Sequence, residues 1–196
     1  MTAAASPTIV VIAGPNGAGK STTAPRLLKG PLAVSEFVNA DTIAQGLSAF
    51  RPETVAIAAG RAMLARLRAL ATARCSFAYE STLASRTFAP WLRKLQSQGY
   101  RVHIMFLALR SADLAVARVA ERVRRGGHDV PEPVVRRRFV LGLENLITLF
   151  QPFVDSWQVL DNADLSGPRL VARGGMGQVT DIRDQEMWQN LVGTRR

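Results

Sequence analysis

The chain has 196 residues, enough for one domain and at most two. A composition of 47% hydrophobic and 20% charged residues excludes a disordered or fibrous chain, and the single cysteine, Cys75, excludes an internal disulfide or a cysteine-based metal cluster. With 25 basic against 15 acidic residues the net charge is +10, so anionic partners are expected.

Taken in chain order, Thr8–Ala13 (TIVVIA) reads as a buried strand. Gly14–Gly19 is a glycine-rich turn, followed by a helix to about Lys29. Glu36–Asn39 is a weaker strand ending before Asp41. Pro52 opens a long helix to about Arg74, whose Ala56, Gly60, Met63, Leu67 and Leu70 step by three and four. Ser76–Tyr79 is a third strand, Phe88–Gln98 a helix stopped by Gly99, and Val102–Leu109 a fourth strand. Helices follow at Ala112–Arg125 and Pro133–Phe150, then a fifth strand at Trp157–Leu160. Beyond Asp161 the text fits a hairpin through Leu170–Val171 and Gln178–Val179 and a last helix over Asp184–Val192.

Strands alternating with helices imply right-handed crossovers and a parallel sheet. The expected class is α/β: three layers, with a mostly parallel five-stranded sheet and helices on both faces. Residues 1–196 are read as a single domain, with a lid segment at 118–138 and a C-terminal extension at 165–196. No apolar run reaches the roughly 18 residues of a membrane span. Met1–Pro7 lacks the basic start and apolar stretch of a secretion signal, so a cytoplasmic protein is expected.

In such sheets ligands bind beyond the carboxyl ends of the strands. The first of these ends carries Gly14, Pro15, Asn16, Gly17, Ala18, Gly19, Lys20 and Ser21, a full G-x-x-x-x-G-K-[ST] motif, with Thr22 after it. Glycines let backbone N–H groups face phosphate oxygens, and the helix N-terminus adds positive charge. Lys20 is expected to reach the β- and γ-phosphates of ATP and Ser21 to ligate Mg2+. A bare strand–helix turn would not require Lys-Ser, so the three-layer architecture is expected to be a P-loop NTPase/kinase fold. The text following Leu165 lacks the signature of transporter ATPases, and no N-K-x-D guanine motif occurs.

Asp41 stands where a general base would take a proton from an acceptor hydroxyl, and equally where a carboxylate would cap a helix over Thr42–Leu47. Glu80 is placed to hold Mg2+ directly or through water, or is simply a polar strand end. Asp161 is an alternative acid at the metal, although Asn162 and Asp164 read as turn chemistry. Between Arg118 and Arg138 lie seven arginines, where even spreading gives about 2.4. Arg118, Arg122 and Arg125 share one helical stripe, and Gly126-Gly127 suits a mobile lid. A nucleic-acid-binding ATPase is the competing reading of this cluster, but Phe139 alone offers a surface for base stacking.

The motifs GPNGAGKST (Gly14–Thr22), VNAD (Val38–Asp41), AAGRAML (Ala58–Leu64), FAYESTL (Phe77–Leu83) and RVAERVRRGGHDVP (Arg118–Pro131) together resemble the zeta toxin family, over about Ile9–Val171. The resemblance implies a P-loop kinase that transfers the ATP γ-phosphoryl to the 3′-hydroxyl of UDP-N-acetylglucosamine with Mg2+. It also implies an antitoxin partner that blocks ATP entry. Carried over, Asp41 is the general base, Glu80 the acid at the metal, Thr82 a sugar-nucleotide contact and Arg122 the first lid arginine. At the second lid arginine the chain has His128-Asp129-Val130-Pro131, so His128, Arg125 or one of Arg136–Arg138 supplies that charge. No acid stands near Leu64–Ala65, where the toxins place a glutamate on the sugar nucleotide. Another metabolite acceptor therefore stays open.

Overall fold

The computed structural model describes residues 6–28, 34–164 and 166–193. Lys29 and Leu165 lie outside the described residues. Five parallel strands form the centre: β1 (Thr8–Ala13), β2 (Glu36–Val38), β3 (Phe77–Ser81), β4 (Arg101–Ala108) and β5 (Ser156–Asp161). β6 (Arg169–Gly175) and β7 (Gln178–Ile182) continue the same sheet as an antiparallel hairpin, giving the order β2-β3-β1-β4-β5-β6-β7. The expected five-stranded sheet is thus seven-stranded. The hairpin read from the sequence is present, and β6 pairs with β5 because Val171 and Ala172 bury against the core that Trp157 and Val159 line.

The α-helices are α1 (Lys20–Leu28), α2 (Ala40–Leu47), α3 (Ala56–Thr72), α4 (Phe88–Ser97), α5 (Ala112–Arg124), α6 (Glu132–Asn145) and α7 (Gln185–Gly193). Period-two alternation along β1 sets the layers. Val10 and Ile12 pack against Ala24 and Leu28 of α1, on the face that α5 also covers. Ile9, Val11 and Ala13 belong to the larger core on the other face, with α3, α4, α6 and α7. β1 is therefore buried on both sides, as its continuous apolar run requires.

Pro52 opens a short 3-10 turn (Pro52–Val55), and the α-helix begins only at Ala56. Its buried row is Ala59, Met63, Leu67 and Leu70, one step off the expected start. The helix expected over Pro133–Phe150 is α6 followed by a π-helical turn at Leu146–Phe150. No helix among the described residues is long and apolar enough to cross a membrane.

Candidate phosphate-binding site

β1 delivers the glycine-rich loop to the middle of the sheet's carboxyl edge, between β3 and β4. Gly14 has φ +138°, and a Cβ there would run into the carbonyl oxygen of Leu107 on β4. Gly17 has φ +80°, and its Cβ would lie 2.6 Å from the Ala115 carbonyl of α5. The loop is thus wedged between two backbones that leave no room for side chains.

Lys20 opens α1 and is almost fully buried. Its Nζ donates to the Pro15 carbonyl at 2.9 Å and lies 3.5 Å from Glu80 Oε1. Burial presses its pKa below the ordinary lysine value, opposed by the charges of Glu80 and Asp41. The charge of Arg122 lowers it a little further.

Glu80 gathers its neighbours. Its Oε2 accepts from Ser21 Oγ at 2.7 Å and from Asn39 Nδ2 at 2.7 Å. The sequence put β3 at Ser76–Tyr79 with Glu80 beyond it. The strand in fact runs through Glu80 to Ser81, which fixes the carboxylate by sheet register opposite Ile12.

Asn39, inside the VNAD motif, has two tasks that the motif alone does not assign. Its Oδ1 caps α2 by accepting from the N–H groups of Asp41 (2.7 Å) and Thr42 (3.4 Å), while its Nδ2 holds Glu80. Its cap-forming residue type directly before a helix was the available signal. Since Asn39 caps α2, Asp41 does not. The Asp41 carboxylate sits exposed in the first turn of the helix, where it acts electrostatically on Lys20 and Arg138.

The seven arginines separate clearly. Arg118 donates to the carbonyls of Asn162 (2.8 Å) and Ala163 (2.6 Å), tying α5 to the turn after β5. That turn also reaches the loop, Asn162 Nδ2 donating to Ala18 O at 2.8 Å. Arg124 and Arg125 pair with Glu121 on the exposed face of α5, so Arg125 is not brought to the loop. Arg136 pairs with Asp113 and Glu132, and Arg137 is exposed.

Arg122 donates to the His128 carbonyl at 2.6 Å, closing the α5–α6 loop, and its Nε is buried without a hydrogen-bond partner among the described residues. His128 enters the structure through that carbonyl and is half-buried. Arg138, on α6, reaches the glycine-rich loop itself, its Nη1 lying 3.3 Å from Asn16 Oδ1. Burial and Arg137 lower its pKa, and Asp41 counters them.

α6 is pinned beside the site through one face. Gly142 packs on the Thr82 carbonyl, and Asn145 Nδ2 donates to Leu83 O at 2.8 Å. Thr82 is half-buried at the end of β3, its hydroxyl accepting from the Ala84 N–H at 3.4 Å. Thr22 is exposed on the first turn of α1. Asp161 is committed elsewhere: buried, it accepts from Arg110 (3.1 Å), Arg169 (3.0 Å) and the Ala163 N–H (2.9 Å).

Among the described residues no three His, Cys, Asp or Glu side chains cluster as a protein metal cage. The oxygens of Ser21 and Glu80 beside the loop match what Mg2+ needs from protein when phosphates and water complete its octahedron.

Residues 9–139 match the family model described as an AAA domain. An uncharacterized protein of Haemophilus influenzae is 29% identical over 126 residues, 64% of this chain and 88% of that one. The crystal structure of AvrRxo1-ORF1:-ORF2 with ATP superposes with a TM-score of 0.74 at 16% identity, covering 98% of this chain. This chain spans only 65% of that one. A structure from the PezAT chromosomal toxin–antitoxin system of Streptococcus pneumoniae gives 0.65 at 14% identity, over 95% of this chain and 78% of that one. The fold they share is the α/β P-loop kinase fold. The matched span begins on β1 and ends on α6, so it contains the loop, Asn39, Asp41, Glu80, Arg122 and Arg138. The chain belongs to the AAA domain family.

Proposed function

We propose that this chain is an ATP-dependent kinase that transfers the γ-phosphoryl group to a hydroxyl of a small anionic acceptor. The observation that carries the reading is the pairing of Asn39 and Asp41: the amide takes both the helix cap and the grip on Glu80, leaving the Asp41 carboxylate without an ion pair among the described residues and within electrostatic reach of Lys20. A mere ATPase has no use for a base aimed at a second substrate. Gly14–Thr22 would wrap the phosphates, with Lys20 at the β- and γ-oxygens. Ser21 and Glu80 would hold Mg2+, which supplies charge neutralisation across those oxygens. Asp41 would take the proton of the acceptor hydroxyl, and Thr82 would contact the acceptor.

Arg138 is assigned the charge developing on the transferred group, because it already lies over the loop. Arg122 would offer its unpartnered Nε to the phosphates while its outer nitrogen holds the short lid. Arg125 takes no part in this reading, since its side chain is held by Glu121, and His128 is given none, its backbone carbonyl being what Arg122 holds. The first acceptor to test is UDP-N-acetylglucosamine, which the motif resemblance supports. A protein partner that holds the enzyme inactive belongs to the same reading, as do the β6–β7 hairpin and α7 as parts of one catalytic domain.

The test is ³¹P NMR of the protein with Mg-ATP and UDP-N-acetylglucosamine. A new sugar-phosphate resonance supports the reading in full. ADP and inorganic phosphate alone would keep the ATP site and reject this acceptor, and ATP left intact in the presence of a panel of nucleotide sugars would contradict the reading.

A further inference from the structure

We propose that the chain binds a second copy of itself, the exposed ridge of α3 lying in the groove between α6 and α7 of its neighbour. The groove, about 1070 Å³ in volume, opens on the face of α6 turned away from Arg138, Gly142 and Asn145. Phe139, Leu143, Ile147, Met187 and Leu191 form its apolar lining. Its rim is acidic, with Glu144, Asp184 and Glu186. Asp184 accepts from the Met187 N–H at 2.9 Å, and neither Glu144 nor Glu186 forms an ion pair among the described residues. Arg110, the basic residue of the lining, is committed to Asp161 and Asp164. In a chain of net charge +10, an apolar groove with an acidic rim calls for a basic amphipathic occupant.

The same chain carries one. Ile57, Arg61, Leu64 and Arg68 step by four, three and four along α3 and so share one face. Ile57 is 76% and Leu64 41% exposed, and Arg61 and Arg68 are exposed without carboxylate partners among the described residues. Leu47 and Phe50, in the stretch that leads into α3, are exposed as well, Phe50 by 98%. The lengths agree: the twelve residues of helix from Ile57 to Arg68 rise about 16 Å, and the wall from Phe139 to Thr148 about 14 Å. If each copy gives its ridge and receives its neighbour's, the contact occurs twice and closes a two-fold dimer. Each groove would then be filled directly behind the helix that carries Arg138.

Sedimentation equilibrium of the full chain tests this without any catalytic readout. The wild type is expected to rise from 21.3 kDa toward twice that mass with concentration. Arg61→Glu with Arg68→Glu lowers the net charge by four, and Glu144→Arg with Glu186→Arg raises it by four. Both double variants should weaken association about tenfold or more, against the opposite trends that bulk charge would produce. Mixing the two variants should restore a mixed dimer, because each ridge then meets a rim of opposite sign. Circular dichroism and thermal midpoints of the variants separate lost association from lost folding. A wild type that stays monomeric at every concentration, a folded double variant that associates unchanged, or a mixture that fails to restore the dimer would each overturn the proposal.

Discussion

Asn39 and Asp41 divide between them two tasks that one acid would otherwise have to combine. The amide caps α2 and holds Glu80, so the carboxylate two residues later keeps its oxygens for chemistry. Asn39→Ala should therefore cost stability, about 1 kcal/mol for the lost cap, and also loosen Glu80, read as weaker Mg-dependent nucleotide binding in calorimetry. Arg138 and Arg125 give the sharpest contrast among the arginines. Arg138→Met is expected to lower phosphoryl transfer by about 10³-fold, the low end for an arginine that stabilises this transition state. Arg125→Met, which breaks only an exposed helix pair, should stay within about twofold. Equal losses in both variants would refute the assignment. Gly14→Ala should abolish ATP binding, because the new Cβ meets the Leu107 backbone, which cannot yield without moving β4. At this scale the sequence was legible where the chemistry is local. Lys20, Ser21 and the glycines announce themselves by spacing. Arg138 does not, because its partner Asn16 is 122 positions away and only the path of α6 brings the two together.

At the scale of elements, the carboxyl end of β5 shows how an acid at a promising position can be structural. Burial pushes the Asp161 carboxyl up, but the Ala163 N–H, Arg169 and Arg110 outweigh it and hold the pKa below 3.8. This stability is present above pH 3.8 and is lost as pH falls through the depressed value. Asp161→Asn should cost about 1.5–3 kcal/mol, the range for hydrogen bonds to charged groups, in urea unfolding at neutral pH, and little of that difference should remain in strong acid. The opposite end of the sheet has its own titrating element. His103 on β4 shares a hydrogen bond of 2.5 Å with Ser156 on β5, and burial lowers its pKa from 6.5 despite Asp155 nearby. The unfolded chain then protonates first, so stability should fall as pH drops below 6.5 toward the folded value. His103→Gln should flatten the change in thermal midpoint between about pH 7 and 5.5. An unaltered slope would show that this histidine does not titrate in the folded range. Element boundaries were read to within a few residues, and the shifts have local causes. Pro52 starts a 3-10 turn before α3, and register with β1 carries β3 on to Ser81.

Across the whole molecule, one carboxyl edge collects the glycine-rich loop, Asp41, Glu80 and Arg138 from four separate stretches of sequence. The alternation of strands and helices made that edge foreseeable, because parallel crossovers leave few other places for the loops. The seven-stranded extent of the sheet was less so, since β7 is an exposed edge strand without an apolar run. The helix that bears Arg138 was visible as a helix, but its two faces were not: one pinned to Thr82 and Leu83, the other lining a groove. Asp41 is expected to activate an acceptor while the loop binds ATP independently. Asp41→Asn measures this most directly, with ATP affinity by calorimetry and transfer to the acceptor by ³¹P NMR on the same samples. ATP affinity is expected to stay within about twofold of wild type and transfer to fall about 10²–10⁴-fold, the usual worth of a general base. Transfer at the wild-type rate with ATP affinity intact would contradict it.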